Sequence, residues 1–234
     1  MTAETRASRR VVRTPGLTLA GAARVFCGLP TALLLLTALL TSVIMRLRGG
    51  PVGWIDAAVV VGIAATQPLI EWAIHVYILH FRPRRIGLLR LDIHGAKYHR
   101  AHHRDPWDLR YVVIPLRTLF TSAGVVFTLG FVVLPSMDGV WTLGVVSSAL
   151  ALCYEWVHFL IHTSYRPRGA HMERLWRAHR WHHYKNERFW FGVSRVEADR
   201  WLKTSPDPAD VPKSPTARTL GVDRDDGDDR TADA

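Results

Sequence analysis

The segment ARVFCGLPTALLLLTALLTSVIM, residues 23–45, has no charged side chain between Val25 and Met45. As a helix it would cross the hydrocarbon layer of a bilayer, which is about 30 Å thick, at about 1.5 Å per residue. Three more apolar stretches of spanning length follow, at 54–80, 118–134 and 139–162. A soluble helix would carry a polar stripe, and a soluble bundle hardly holds four fully apolar helices. The sequence therefore predicts an all-α integral membrane protein with about four transmembrane helices.

The basic residues of this chain of net charge +10 are concentrated on one predicted side of the membrane. Arginines precede the first apolar stretch and occur throughout the segments 81–117 and 163–234. Of the two opposite loops, 46–53 carries only Arg46 and Arg48, and 135–138 has no basic residue. Basic residues of short loops stay in the cytoplasm. This pattern predicts a multi-pass cell-membrane protein with both termini and both basic segments in the cytoplasm. Because topology explains the charge, we do not expect nucleic acid as a partner.

Ten of the twelve histidines form four groups with helical spacing. Two are pairs, HVYILH at 75–80 and HFLIH at 158–162, and two are triples, HRAHH at 99–103 and HRWHH at 179–183. Residues three or four apart share a helix face, so each triple and the second pair are predicted to point at a common centre. Five residues turn a helix by about 500°, which places the side chains of His75 and His80 about 140° apart around the helix axis. The first pair therefore needs a helix end, a distortion or two different metal neighbours.

Both pairs close an apolar stretch, and a triple follows each of them on the same predicted side. Imidazole is neutral near pH 7 and binds iron, zinc and copper. Ten ligands exceed what one ion takes, so the pattern predicts two metal ions with room for oxygen or water. Glu71 and Glu155 lie on helix faces suited to accept a proton from the far ring nitrogen of a ligand, whereas His94 and His171 fall outside the groups. The predicted ligands are His75, His80, His99, His102, His103, His158, His162, His179, His182 and His183.

The segment from about 54 to 204 resembles the fatty acid hydroxylase/sterol desaturase superfamily of integral-membrane di-iron enzymes. The resemblance rests on HVYILH, YHRAHHRDPWD, YEWVHFLIH and HRWHHYKNERFWFGVS, followed by Asp199 and Thr204. It implies a helical membrane fold with a cytosolic helical cap that carries the histidine motifs. It also implies two iron ions, held by the ten histidines, that activate O2 to hydroxylate or desaturate a C–H bond of a membrane lipid. The same nitrogens would also retain zinc.

The resemblance leaves the substrate open among fatty acyl, sterol and carotenoid-like chains. Fatty acid hydroxylases commonly have H-G-x-H-H in the first triple, where this chain has Arg100 and Ala101 between His99 and His102. The sequence has no recognisable fused haem domain, so an external electron donor, such as a ferredoxin or a cytochrome, is expected.

Two other classes of function fit a histidine-rich membrane protein. A divalent-metal transporter would place ionisable residues near the middle of the bilayer. A haem-binding electron carrier would need single histidines facing each other, not adjacent His-His pairs. The clustering of histidines at one end of the spans favours the metal oxygenase over both.

The composition divides the chain into three parts. Residues 1–20 are predicted to be a cytosolic N-terminal tail, and 21–204 a membrane-embedded catalytic domain. Residues 205–234 contain four prolines and eight aspartates and carry a charge of −4, which predicts a disordered acidic tail. The only cysteines, Cys27 and Cys153, lie in apolar stretches, so we expect no disulfide framework.

Overall fold

The structure, a computed structural model, describes residues 15–222 of the chain. Within this range most residues are helical, as the sequence predicts. The helices and strands, in chain order, are α1 (Leu19–Cys27), α2 (Pro30–Leu47), α3 (Trp54–Ala73), a π-helix (Ile74–Leu79), β1 (Arg84–Ile86), β2 (Leu89–Leu91), α4 (His94–Arg104), α5 (Leu109–Val112), α6 (Leu116–Val133), α7 (Met137–Ile161), α8 (Ala170–Tyr184), α9 (Glu197–Trp201) and a 3-10 helix (Pro208–Asp210).

Four helical segments within the described range are long and apolar enough to cross a membrane: Pro30–Leu47, Trp54–Leu79, Leu109–Val133 and Met137–Ile161. Their outer faces expose large apolar side chains, for example Leu40 at 52% and Val132 at 78%. Apolar surface of this extent is stable against lipid rather than water. The prediction of a multi-pass helical membrane protein is confirmed.

The boundaries of the first span differ from the prediction. The chain leaves α1 at Cys27, and α2 begins at Pro30, so the predicted stretch 23–45 is two helices. Proline is favoured at a first helical position because its missing N–H is unpaired there anyway. The short helix α1 packs beside α7 instead of continuing the span, with the ring of Phe26 5.2 Å from Trp156 and 5.5 Å from Phe159.

Helix α7 contacts α2, α3 and α6 and forms the centre of the bundle. Small residues allow the close approach of α7 and α2. A Cβ atom added at Gly144 would lie only 2.6 Å from the Ser42 hydroxyl and 3.2 Å from the Phe127 ring. Such small residues let membrane helices pack closely where no hydrophobic effect drives them together.

Residues 80–117 and 162–222 lie at the same end of the bundle, and we call them the cap; it includes the first residues of the third span, 109–117. Helices α4 and α8 of the cap carry the two histidine triples. A short antiparallel hairpin, with Arg84 opposite Leu91, precedes α4. Its tip residue Leu88 is fully exposed, and Gly87 provides the positive φ of 61° that the turn requires.

The predicted disorder of 205–234 is wrong for residues 205–222, which form an ordered segment that we call the strap. The strap amide of Ser214 donates to the Lys185 carbonyl at 2.7 Å, and the Asn186 side chain donates to the Pro212 carbonyl at 3.1 Å. Val211 and Leu220 are buried. Prolines prevent regular structure here but not packing, because the polar backbone groups bond to the cap. The predicted acidic end, 223–234, and most of the predicted N-terminal tail, 1–14, lie outside the described residues.

Candidate metal centre

The ten predicted histidines come together in two adjacent groups of five. In each group, one ring nitrogen of every member lies within 4.8 Å of the others. Nine of the ten side chains are buried, and His80 is half-buried. We call the groups the first and the second histidine group. The first is His75, His80, His99, His103 and His182, and the second is His102, His158, His162, His179 and His183.

The structure corrects the prediction that each triple points at one centre. His99 and His103 face the first group, whereas His102 faces the second. In the other triple, His179 and His183 face the second group and His182 the first. A step of three residues turns a helix by about 300° and a step of four by about 400°, so the two side chains diverge by about 100°. Each triple therefore bridges the two groups.

The predicted misfit of His75 and His80 is resolved by a distortion of the helix. Residues Ile74–Leu79 form a π-helix, in which the amide of His80 donates to the carbonyl of His75 at 3.1 Å. The i→i+5 hydrogen bond widens the turn, so that residues five apart share a face. As a result the two rings lie 5.0 Å apart between centroids.

Backbone carbonyls fix the tautomer of four of these histidines. The Nδ1 atoms of His75 and His182 contact the carbonyls of Phe191 and Phe189 at 2.6 and 2.8 Å. His158 and His103 contact the carbonyls of Val112 and Ala217, both at 2.8 Å. A carbonyl only accepts, so each Nδ1 carries the proton and each Nε2 keeps its lone pair.

Several of these lone pairs point into the groups without a protein partner. The buried Nε2 atoms of His75, His158 and His182 have no hydrogen-bond partner among residues 15–222. A buried polar atom without a partner costs about 1–3 kcal/mol. Such atoms occur in both groups, which indicates that something outside the chain satisfies them.

The remaining nitrogens are spaced as ligands of a shared ion would be. In the second group, Nε2 of His162 lies 3.1 Å from that of His102 and 3.0 Å from that of His179. Two nitrogens at right angles around an ion, each about 2.1 Å from it, are about 3.0 Å apart. One Nε2 atom holds either a proton or a lone pair, so a neutral imidazole cannot satisfy two such neighbours by hydrogen bonding. The residues therefore fit a metal cofactor.

Burial keeps the histidines of the cap neutral. Desolvation lowers the pKa of His102, His162, His179 and His183 well below the ordinary 6.5, and neighbouring imidazoles lower it further. Desolvation also lowers the pKa of His103, to about 3, although the hydrogen bond to the Ala217 carbonyl opposes this shift. Metal ligation needs the neutral form, and these pKa values provide it throughout the physiological range.

Glu71 and Glu155 do not occupy the predicted positions at the ring nitrogens of His75 and His158, which bond carbonyls instead. Each carboxylate binds the segment that presents the carbonyl. Glu71 accepts the amides of Val193 and Ser194 at 2.6 and 2.8 Å, two and three residues after Phe191. Glu155 accepts the amide of Ile114 at 3.1 Å, two residues from Val112. The two glutamates therefore orient the histidines indirectly.

Asp199 holds the same loop as Glu71 from the other side. Its carboxylate accepts the amides of Phe191 and Gly192 at 3.0 and 2.7 Å and the hydroxyl of Thr204 at 2.6 Å. A Cβ atom at Gly192 would lie 1.9 Å from the Arg195 carbonyl, so only glycine fits this turn. These contacts explain why the sequence FWFGVS is followed by Asp199 and Thr204.

Sequence reasoning missed the four carbonyls that receive the Nδ1 protons. Those of Val112, Phe189, Phe191 and Ala217 belong to the backbone, which carries no sequence signal of its own. The glycine and the acids that shape the loop around Phe191 were the only usable signal. His94 and His171 lie outside both groups as predicted: His94 is 2.9 Å from the Thr118 hydroxyl, and His171 is exposed.

Two depressions open on the cap beside the histidines. The larger one, about 500 Å³, is lined mainly by the strap, and we call it the strap depression. The smaller one, about 170 Å³, reaches the half-buried His80 between Arg82, Arg188 and Phe191. Residues of the strap depression are Tyr184, Lys213, Ser214, Pro215, Ala217 and Arg218.

Two curated relatives each match more than half of the chain. Fatty acid 2-hydroxylase from Macaca fascicularis is 26% identical over 153 residues, which are 64% of this chain and 39% of the relative. The ceramide very long chain fatty acid hydroxylase of Saccharomyces cerevisiae is 30% identical over 131 residues, 54% of this chain and 32% of the relative. The chain thus spans between about a third and two fifths of these relatives.

A solved structure and a match to a protein family point to the same relatives. Full-length Scs7p, of which only the hydroxylase domain is visible, superposes with a TM-score of 0.64 at 25% identity, covering 79% of this chain and 68% of that one. The family described as fatty acid hydroxylase matches residues 59–204, which contain all ten clustered histidines, Glu71, Glu155 and Asp199. This chain belongs to the fatty acid hydroxylase family.

Proposed function

We propose that this protein hydroxylates a C–H bond of a membrane lipid with O2, using two iron ions, one in each histidine group. In the balanced reaction, R–H, O2, two electrons and two protons give R–OH and water. The observation that carries the proposal is the pair of adjacent, buried groups of five neutral imidazoles with unpartnered nitrogens pointing inwards. The names of the relatives support hydroxylation rather than desaturation.

The ten histidines are the proposed iron ligands. Five nitrogens in each group would hold one iron ion and would leave room for O2 or water. Bound iron would supply the reductive activation of O2, which no side chain of the chain can perform. The protein contributes the rest: carbonyls of the cap hold the Nδ1 protons, and burial excludes water from the two groups.

We propose a fatty acyl chain as the substrate. The relatives are named for fatty acids and ceramide-linked fatty acids, and the four spans expose apolar faces to the bilayer. Two histidine pairs lie where the second and fourth spans end, so an acyl chain can reach them from the membrane. Sterols and carotenoid-like chains are the classes that product analysis would distinguish.

The catalytic unit in this proposal comprises residues 21–222, because the strap binds His103. The distribution of arginines directs the cap to the cytoplasm, where reducing equivalents are available. The electron donor would be a separate protein, such as a ferredoxin or a cytochrome. A metal transporter is not favoured, since the histidines lie at one end of the spans rather than at mid-membrane.

Lipid profiling of cells with and without the protein tests this function. Cells grown with isotopically heavy O2 should contain a hydroxylated acyl lipid in which the label is in the hydroxyl group, and purified protein should hold two iron ions per chain. A product formed without O2, or one labelled from water instead, would contradict the proposal. Protein that binds one haem and no other iron would do so as well.

A further inference from the structure

We propose that the strap depression is the docking surface of an acidic one-electron carrier protein. This inference rests on the proposed function, because the reaction consumes two electrons that the chain cannot supply. Three features of the structure carry it: the position of the depression over the contact between the histidine groups, its charge, and its open shape.

One residue in the lining of the strap depression contacts a histidine of the first group, which in turn stacks on a histidine of the second group. Ala217 lines the depression, and its carbonyl contacts Nδ1 of His103 at 2.8 Å. The ring of His103, from the first group, stacks on that of His183, from the second, with centroids 4.1 Å apart and an angle of 23°. An electron that enters at Ala217 therefore reaches both groups over a short path.

A second route joins the same surface to the second group. Tyr184 forms another part of the lining, and its ring centroid lies 6.2 Å from that of the adjacent His183. Tyr184 also packs under the guanidinium of Arg180, 5.3 Å from the ring centroid. The aromatic ring thus connects the basic rim to a ligand of the second group.

The charge of the depression selects an acidic partner. Among the described residues that line it, Lys213 and Arg218 are exposed cations and none is a carboxylate. Buried Glu187 is bonded to the hydroxyl of Thr216 at 2.5 Å and faces the strap. Opposite charges steer redox proteins to small, transient interfaces, which an open surface of this kind provides.

Electron delivery is balanced by two carrier molecules that dock in turn. Each is oxidised by one electron, and the two electrons with two protons from water reduce one oxygen atom of O2 to water while the other enters the C–H bond. An anionic lipid headgroup would also bind Lys213 and Arg218. It would gain nothing from the short path to the histidines, which is why we favour the carrier.

The test measures binding of an acidic [2Fe–2S] ferredoxin and of an acidic cytochrome b5 to the full chain in nanodiscs of uncharged phosphatidylcholine. We compare wild type with Lys213→Glu/Arg218→Glu. The control, Arg168→Glu/Arg174→Glu, changes the net charge equally at exposed positions, of which Arg174 lies about 15 Å along α8 from Tyr184. Metal content of every variant is measured to check that the site is intact.

We expect the depression variant to weaken carrier binding about tenfold and to lose most of its salt dependence, while the control binds as wild type does. The single variant Lys213→Glu should show part of the loss. It leaves the bond from Arg218 to the Arg104 carbonyl in place, so the test survives if the double variant misfolds. Turnover with dithionite as reductant should remain at the wild-type level in Lys213→Glu and in the control variant.

Equal carrier binding by the two double variants, or no binding of either carrier to wild type, would overturn the docking surface. Loss of binding to phosphatidylserine vesicles with unchanged carrier binding would assign the cations to lipid instead. These results leave the proposed function intact as long as dithionite supports lipid hydroxylation. Absence of hydroxylated lipid with every reductant would refute the proposed function itself.

Discussion

The two ends of the helix bundle each bury a polar cluster, and the clusters differ in how their atoms are satisfied. At the end opposite the histidines, the guanidinium of Arg46 binds both carboxylate oxygens of Asp56 at 2.7 and 2.6 Å and the Thr142 hydroxyl at 3.2 Å. It also donates to the carbonyls of Gly50 and Pro51. We call Arg46, Asp56 and Thr142 the arginine clamp.

The arginine clamp satisfies its own hydrogen bonds, whereas the histidine groups do not. None of the side-chain atoms of the clamp is among the buried, unpartnered atoms of the described residues, but the Nε2 atoms of four clustered histidines are: His75, His80, His158 and His182. Buried polar groups in native proteins are almost always paired. The comparison teaches that the clamp is complete as a structural element, whereas the histidine groups leave buried nitrogens available to the proposed ions.

The largest expected effect that tests this difference comes from a proposed ligand. His158→Ala should abolish metal binding in the second group and lower turnover by more than about 100-fold, because even second-layer contacts cost 10- to 100-fold. Metal per chain and product formation measure it. His171→Ala, an exposed histidine outside the groups, is the matched control. Equal effects of the two substitutions would mean that the grouping is wrong.

The arginine clamp should respond in the opposite way. Arg46→Met removes the guanidinium partner of the Asp56 carboxylate, so we expect a clear loss of stability. Thermal unfolding in detergent measures the loss, and metal content per folded chain should not change. Arg46→Met combined with Asp56→Leu should recover much of the stability. Metal loss from the folded variant would show that the two ends are not independent.

The sequence predicted which ten histidines come together, because spacing on one helix and position at a span end are local properties. The sequence did not predict how the ten histidines divide between the two groups. Whether His102 or His103 faces a given histidine group depends on the packing of α4 against α7 and α8. The π-helix at Ile74–Leu79 was likewise open, since an inserted residue has no marker of its own in the sequence.

The strap shows why the wrong prediction arose. Its composition resembles that of disordered segments, and its hydrogen-bond partners, Lys185 and Arg104, are distant in sequence. The composition of a segment indicates how much apolar surface it can bury by itself. It does not show which hydrogen-bond partners the cap provides. The end of α1 at Cys27, by contrast, could have been predicted from the Gly-Leu-Pro sequence that ends at Pro30. The prediction failed because it used hydropathy alone, which does not change at this point.

An intermediate effect is expected at Glu71, which acts on the first group through a loop. Glu71→Ala removes the acceptor for the amides of Val193 and Ser194 and frees the Phe191 carbonyl from its position at His75. We expect metal affinity to fall about 10- to 100-fold, as for other contacts behind a ligand. Competition with a chelator measures the affinity. Glu71→Gln keeps one accepting oxygen and should recover part of it, which a purely structural defect elsewhere would not explain.

The smallest effect should follow from loosening the strap. Thr216→Val removes the hydroxyl bond to Glu187, worth about 1 kcal/mol, and weakens the placement of the Ala217 carbonyl at His103. Metal should therefore leave the first group about fivefold faster, while the second group, in which no member bonds Ala217, keeps its release rate. Release of metal to a chelator in two phases separates the groups, and Ser205→Ala, exposed in the same strap, serves as the control. Equal acceleration of both phases would show that the strap acts on the cap as a whole and not through His103.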